Sequence, residues 1–218
     1  MKYLMECRKV AVTVAVILCA LGISTPDANA VGFGFYVNAG GGSGDETPTF
    51  ESGQEDTQDT SNSHFGFGFA FDTNVLGRSG IFNYRLNFGY EKMKTEVDDA
   101  AAVSRHEVDW GGAALEQDFG FGGKVGERVR LWGGPCIRLS YHEGSDEFDN
   151  DFSVVGFGIG PVFGANFGVA DALAFSVRAG FLIDGYGGDW SRPSGGSSMD
   201  FSMSEIRAFV GFGMLFGN

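Results

Sequence analysis

Apolar side chains recur at every second residue along most of this chain, in eight separate runs. The first sets Val31, Phe33, Phe35, Val37 and Ala39 against Gly32, Gly34, Tyr36 and Asn38. The second is Phe65, Phe67, Phe69 and Phe71, and the third Phe82, Tyr84, Leu86, Phe88 and Tyr90. The fifth carries Val129, Leu131, Ile137, Leu139 and Tyr141, and the sixth Val155, Phe157, Ile159, Phe163 and Phe167. The seventh holds Phe175, Val177, Ala179, Phe181 and Ile183, and the eighth Ile206, Ala208, Val210, Phe212, Met214 and Phe216. The fourth changes phase: Val108 and Trp110 share one face, whereas Leu115, Phe119 and Phe121 fall on the other. Gly111-Gly112 lies between them and predicts a β-bulge that shifts the phase by one residue. Period two is the signature of strands, and no long stretch keeps a helical spacing.

Each run predicts a strand of about 9–12 residues, the length a tilted strand needs to cross a bilayer. One face of every run is large and apolar, while the other is Gly, Asn, Ser, Arg, Asp and Glu. A small barrel has too little interior for so many Phe and Tyr side chains. Placing the aromatics outside and the glycines and charges inside removes the conflict, provided the outside is lipid. A closed barrel also leaves no unpaired edge in hydrocarbon. The expected fold is therefore all-β, an eight-stranded antiparallel up-and-down transmembrane β-barrel.

The connections alternate in length. Gly40–Ser63, Thr95–Arg105 and Gly185–Asp200 are long and Glu143–Asp151 intermediate, while Thr73–Ser79, Gly122–Glu127 and Gly168–Ala172 are short. Short turns belong to the periplasmic side and long loops to the outside. The long loops are acidic, with Asp45, Glu46, Glu51, Glu55, Asp56 and Asp59 in the first and Glu143, Asp146, Glu147, Asp149 and Asp151 in the third. In alternation, loop rhythm and carboxyl-terminal strand, the chain resembles the OmpA/OmpX-type family of small outer-membrane β-barrels over residues 31–218. The resemblance implies a barrel-assembly signal in Val210, Phe212, Met214 and Phe216, although Gly217 and Asn218 follow it where the family ends on an aromatic residue. It also implies contact with outer-membrane lipid and lipopolysaccharide, the barrel-assembly machinery and periplasmic chaperones.

The amino terminus adds a compartment. Lys2, Arg8 and Lys9 precede the apolar run Val10–Leu21 and the small-residue pattern Ala28-Asn29-Ala30. This is the layout of a secretory signal peptide over residues 1–30, cleaved after Ala30, and the run is too short for a membrane-spanning helix. A bacterial outer-membrane location follows as the expectation. Cys7 and Cys19 leave with the leader, so Cys136 is alone and the mature chain has no internal disulfide. The whole chain carries a formal charge of −13. Such a chain repels nucleic acid, and it offers no basic stripe for phosphates.

Candidate chemistry concentrates on the inward phase. Asp72, Arg85, Glu91, Asp109, Arg130, Arg138, Arg178, Asp184, Glu205 and Arg207 would share a narrow bore. Buried charges must pair, and the planar guanidinium fork suits carboxylates. Such a network either constricts a pore or fills a non-conducting barrel, and eight strands favour the filled form. His64, His106 and His142 lie near the predicted outer rim, with Ser104, Ser140 and Glu143 close in sequence. Small barrels that remodel lipid A use histidine, serine and an acid near that rim, and a histidine base beside a serine nucleophile is sound chemistry. No motif of such an enzyme is present, so the histidines are expected to be ordinary rim residues. The acidic loops lack the Asp-x-Asp-x-Asp spacing of a calcium loop, and neither metal nor cofactor is expected. Tyr84, Tyr90, Trp110, Tyr141 and Phe181 are expected in aromatic belts, and Trp132 inside, against Arg130 and Arg138. The function expected is a non-catalytic structural or surface-interaction role with an unidentified surface ligand. A small ion or solute channel and a rim-located lipid A-modifying enzyme are the alternatives.

Overall fold

The structure, a computed structural model, describes residues 31–49, 57–76, 80–98, 105–146, 151–191 and 199–217. The leader and its cleavage site, with Glu51, Glu55, Asp56, Ser104, Glu147, Asp149 and Asn218, lie outside these residues. Eight strands follow in chain order: β1 (Gly32–Thr49), β2 (Gln58–Asp72), β3 (Phe82–Asp98), β4 (Arg105–Lys124), β5 (Val129–Asp146), β6 (Asp151–Ala170), β7 (Leu173–Ser191) and β8 (Met199–Gly217). Each pairs antiparallel with its sequence neighbours, and β1 pairs with β8 to close the barrel.

Phenylalanine and glycine fall where the wall requires them. Phe33, Phe35, Phe67, Phe88, Phe157 and Phe212 stand on the exterior, each about half exposed, and rings on neighbouring strands stack, as Phe33 and Phe69 do at 5.8 Å. The interior glycines allow strands to approach closely: a Cβ on Gly34 would sit 1.7 Å from the Met214 carbonyl oxygen. At the end that holds Gly32 of β1 and Gly217 of β8 the turns are short, and Gly80 and Gly126 take positive φ there (109° and 80°), conformations open to glycine without steric cost.

The strands are longer than the alternation predicts, running from 15 residues in β2 to 20 in β4 and β6. Much of what composition marks as loop is sheet: Glu46 pairs with Gln58, Asp59 with Asp98 and Asp151 with Ser191. The extra length has its own pattern. On β3 the exterior changes from Phe88 and Tyr90 to Lys92 and Lys94, while the interior changes from Glu91 to Met93 and Val97. On β8 the exterior passes from Ile206 to Ser204 and Ser202, and the interior from Glu205 to Met203 and Phe201. The barrel thus has two sections. In the terminal section apolar groups face out and polar groups face in; in the loop section the arrangement is that of a water-soluble protein.

This inversion explains the phase change in the fourth run and overturns the expected bulge. Glu91, Lys92 and Met93 pair in unbroken register with Gly112, Gly111 and Trp110. Val108 and Trp110 are therefore interior residues of the loop section. Trp110 does not join an exterior belt, and Asp109 does not face the bore. A packed cluster of Met93, Val108, Trp110, Val154, Tyr186, Phe201 and Met203 closes this end, with Phe152 against it. Trp110 stacks on Phe201 at 6.1 Å and donates to Thr95 Oγ1 at 3.0 Å.

The opposite mouth is closed by the turn between β2 and β3. Val75 packs inside with Tyr36, Ala70, Ala174 and Leu215, and Leu76 lies against them. The turn is pinned by Asn74, whose backbone N–H donates to Asp72 (2.8 Å) and whose amide donates to the Gly80 and Phe82 carbonyls (both 2.9 Å). Asn166 donates to the Val75 carbonyl from across the bore (2.8 Å).

The two-section arrangement sets opposite outcomes for neighbouring residues. Trp110→Ala should destabilise the barrel by about 3–5 kcal/mol, the range for emptying a packed aromatic site. Asp109→Ala should change stability by less than about 0.5 kcal/mol, as exposed positions do. Phe88→Arg, on the lipid face, should cost about 2–4 kcal/mol. Urea titration of the barrel folded in lipid vesicles measures all three.

Candidate functional site: the charged interior

Between the two closures the bore is filled with ionised and amide side chains supplied by all eight strands. Strand alternation places them there: the inward series is odd-numbered on β3 and β8 and even-numbered on the other six. Nine of the ten charges anticipated for the bore lie within it, namely Asp72, Arg85, Glu91, Arg130, Arg138, Arg178, Asp184, Glu205 and Arg207, all nearly or fully buried. Asp109 is the exception. Its carboxylate is mostly exposed on the outer face of β4, 3.6 Å from Lys92 Nζ, because the interior phase continues through Gly111 and Gly112.

Glu91 is the hub of the largest cluster. It accepts from Arg138 Nη2 and, at 3.2 Å, from Arg207 Nη1. Both guanidiniums also reach Asp184, at 3.4 Å from Arg138 and 3.3 Å from Arg207. Arg138 further donates to Ser140 (3.0 Å) and lies over the Tyr186 ring (5.9 Å). The Arg207–Asp184 contact falls outside hydrogen-bonding angles and acts through charge alone.

His64 and His142 belong to this cluster and not to a rim. His64 Nε2 lies 2.9 Å from Glu205 and its Nδ1 3.4 Å from Glu91; His142 Nε2 lies 3.4 Å from the same Glu91 carboxylate. Both rings are buried. His106 pairs with Val97 on β3, and its side chain lies outside the described residues. Glu143 stands on the outer face and accepts from the Tyr141 hydroxyl (2.6 Å). Among the described residues, His64, His142 and Ser140 therefore face the interior while Glu143 faces outward, and Ser104 lies outside the described residues.

A second cluster was missed by the sequence reading. Arg178 donates to Glu116 and, at 3.0 Å, to Asp118, and Arg207 approaches Glu116 at 3.6 Å, which joins the two clusters. Glu116 and Asp118 are fully buried. Their signal was present in the sequence, since both alternate with Leu115 and Phe119. Arg178 also stacks over Phe209 at 5.0 Å.

Nearer the termini, Arg85 donates twice to Asp72 (2.9 and 2.6 Å), to Asn166 (2.9 Å) and to Ser176 (2.6 Å). Trp132 is inside, as its phase requires, but its cationic partner is Arg85, 4.9 Å from the ring centroid, and not Arg130 or Arg138. Arg130 donates to the Ile81 carbonyl at 3.1 Å and has no carboxylate within 4 Å among the described residues. Cys136 is buried with Trp132, Val162, Leu182 and Phe209. Val210, Phe212, Met214 and Phe216 form the outward series of β8, opposite Ala39, Val37, Phe35 and Phe33 of β1.

The arrangement can hold charge in a fixed, mutually neutralising pattern within the bore. It leaves no ring nitrogen or serine hydroxyl of the network accessible to a bulky substrate. A closed ring of eight antiparallel strands with an apolar exterior and an ionic interior decides the architecture. It has the fold of a small outer-membrane β-barrel. No family model matches the sequence, and no curated protein does. Among solved structures, the outer membrane protein OprG from Pseudomonas aeruginosa superimposes with a TM-score of 0.51 at 10% identity, over 88% of this chain and 99% of that one. Neisserial surface protein A gives a TM-score of 0.31 at 14% identity, covering 81% and 95%. The Escherichia coli outer membrane protease OmpT gives 0.33 at 8% identity, covering 89% and 99%. The likeness to OprG concerns the path of the chain alone.

Removing one partner of a buried, hydrogen-bonded ion pair leaves the other charge uncompensated, a loss of about 3–5 kcal/mol. Glu91→Gln should therefore destabilise the barrel by that amount, because it strips Arg138 and Arg207 of their shared carboxylate. Glu107→Gln, which breaks the exposed 2.9 Å pair with Lys94, should cost less than about 1 kcal/mol. Equilibrium unfolding of the two variants in vesicles provides the comparison.

Proposed function

We propose that the protein is a non-catalytic, non-conducting barrel of the bacterial outer membrane that presents an acidic, sheet-supported surface to the exterior. The observation that carries this reading is the threefold occupation of the bore. The Trp110–Phe201–Met203 cluster fills the loop end, the ion-pair network fills the middle, and Val75 with Leu76 fills the terminal mouth. A conducting pore needs a continuous hydrated path, and hydrophobic constrictions exclude water by dewetting. The burial of His64 and His142 in ion pairs supports a structural role for them over a role in lipid A chemistry.

The exterior supplies the remaining part of the reading. Above the aromatic band, the outer faces carry Asp45, Asp59, Glu107, Asp109, Glu143 and Asp151 on strands paired to their ends. Rigid sheet there holds the long connections at fixed spacing, and surface loops on a rigid scaffold are the usual place for recognition. Lipopolysaccharide surrounds the band on this reading, and the barrel-assembly machinery and periplasmic chaperones deliver the chain, with Val210, Phe212, Met214 and Phe216 as the assembly signal. The ligand of the loops is a surface partner and not nucleic acid, which the chain's negative charge repels.

Purified barrel reconstituted in planar bilayers should give no stable conductance steps across the physiological voltage range. Long-lived open steps would replace this reading with that of a small ion or solute channel. Lipid A extracted from a host that expresses the protein should have an unchanged mass profile, and a new acylation state that disappears in His64→Ala or His142→Ala would replace it with the enzyme reading.

A further inference from the structure

Among the described residues, an unfilled space lies in the interior. Tyr36, Arg85, Asn87, Ser176 and Arg178 line it together with Ala70, Leu215 and the strand β8 glycines, and it gives the centre of a water-sized sphere about 10 Å³ of freedom. That is room for one water or one monatomic ion. The space exists because two successive inward positions of β8 are glycine. A Cβ on Gly213 would meet nothing nearer than the Phe35 carbonyl oxygen at 3.2 Å, and one on Gly211 would come 3.2 Å from Arg178 Nε.

The wall of this cavity is rich in donors. It contains two guanidiniums and no carboxylate. Asn87 is 1% exposed, and its amide nitrogen has no hydrogen-bond partner. The Ser176 oxygen already accepts from Arg85, so its own proton is available. A water placed here would find donors on most sides and few acceptors for its two hydrogens, whereas an anion needs only donors. Arg85, Arg130 and Arg178 face Asp72, Asp118 and Glu116, and Glu116 is shared with Arg207. Arg130 has no carboxylate within 4 Å among the described residues, so its guanidinium is the least closely paired cation in this part of the bore. Buried charge is stable only when it is paired and hydrogen-bonded, and charge-assisted donors are the strong ones.

We propose that this cavity is a structural anion site that encloses one chloride-sized ion between Arg85 and Arg178, held by the Asn87 amide and captured when the barrel closes. The size of the space excludes phosphate and carboxylate ligands, which leaves halides as the class. Capture during folding accounts for a site that lies between two packed ends of the barrel.

The test uses the full barrel refolded and crystallised in sodium bromide. A bromide anomalous peak is expected within hydrogen-bonding distance of Asn87 Nδ2. In solution, the thermal transition should rise with chloride concentration and saturate, relative to sodium gluconate at equal ionic strength, because a ligand bound only by the folded state stabilises it by mass action. Asn87→Asp supplies the negative charge covalently at nearly unchanged shape. This variant should fold, lose the bromide peak and lose the halide response. Gly213→Ala, which intrudes on the same space without adding charge, should weaken the response in the same direction. A bromide-grown crystal with no anomalous signal in the cavity overturns the proposal, as does a halide response of full size in Asn87→Asp. Neither result bears on whether the barrel conducts, so the two readings fail separately.

Discussion

Hydrocarbon offers a backbone amide nothing to bond to, and the rest of this molecule follows from that deficit. Each N–H and C=O in the lipid must find its partner within the wall. An antiparallel sheet achieves this only by closing, and here β1 meets β8 along its whole length. Closure with eight strands leaves a bore so narrow that side chains nearly fill it. Strand alternation then divides each strand between two media. In the terminal section most Phe side chains go to lipid and the charges are confined together with a few interior rings such as Tyr36 and Phe209, where the charges must neutralise one another. The ion-pair network is thus a result of closing the wall.

The same alternation serves a second medium a few residues higher. Once the wall leaves the lipid, the outside is water and the preference of each face reverses. Met93 follows Glu91 on the inside of β3, and Lys92 follows Tyr90 on the outside. No bulge or turn is needed, because the strand geometry is constant and only the solvent changes. The loop section therefore has an ordinary apolar core of Trp110, Phe201 and Met203, mounted on a section with a polar core.

This reversal also sets the limit of what could be read from the residues. The strand count, the antiparallel closure and the aromatic exterior follow from alternation that is unbroken in the terminal section. Nine interior charges follow from phase alone. Asp109 and Trp110 depart from the expectation because one phase rule does not hold for both sections, and Gly111-Gly112 just after them mimics a bulge where the surroundings change. His64 and His142 were assigned to a rim because strand ends were placed where the apolar run stopped, whereas the sheet continues beyond. The partner of Trp132 could not be read at all: Arg85 lies 47 positions away in sequence, and only the shear of the closed sheet brings them together. Glu116 and Asp118 are legible from phase as well, since both alternate with Leu115 and Phe119.

The height at which the pattern reverses has a mechanical consequence. Tyr90 and Lys92 on β3, Tyr141 and Glu143 on β5, and Val155 and Ser153 on β6 mark the same abrupt boundary on the outer surface. Displacement in one direction would drag carboxylates and ammonium groups into acyl chains, and displacement in the other would expose phenylalanine rings to water. The barrel is therefore fixed in its vertical position, and its apolar belt matches a bilayer of one thickness. Such hydrophobic mismatch costs fractions of a kcal/mol per Å and is enough to sort proteins among membranes. A thicker bilayer would have to thin around this wall or exclude it.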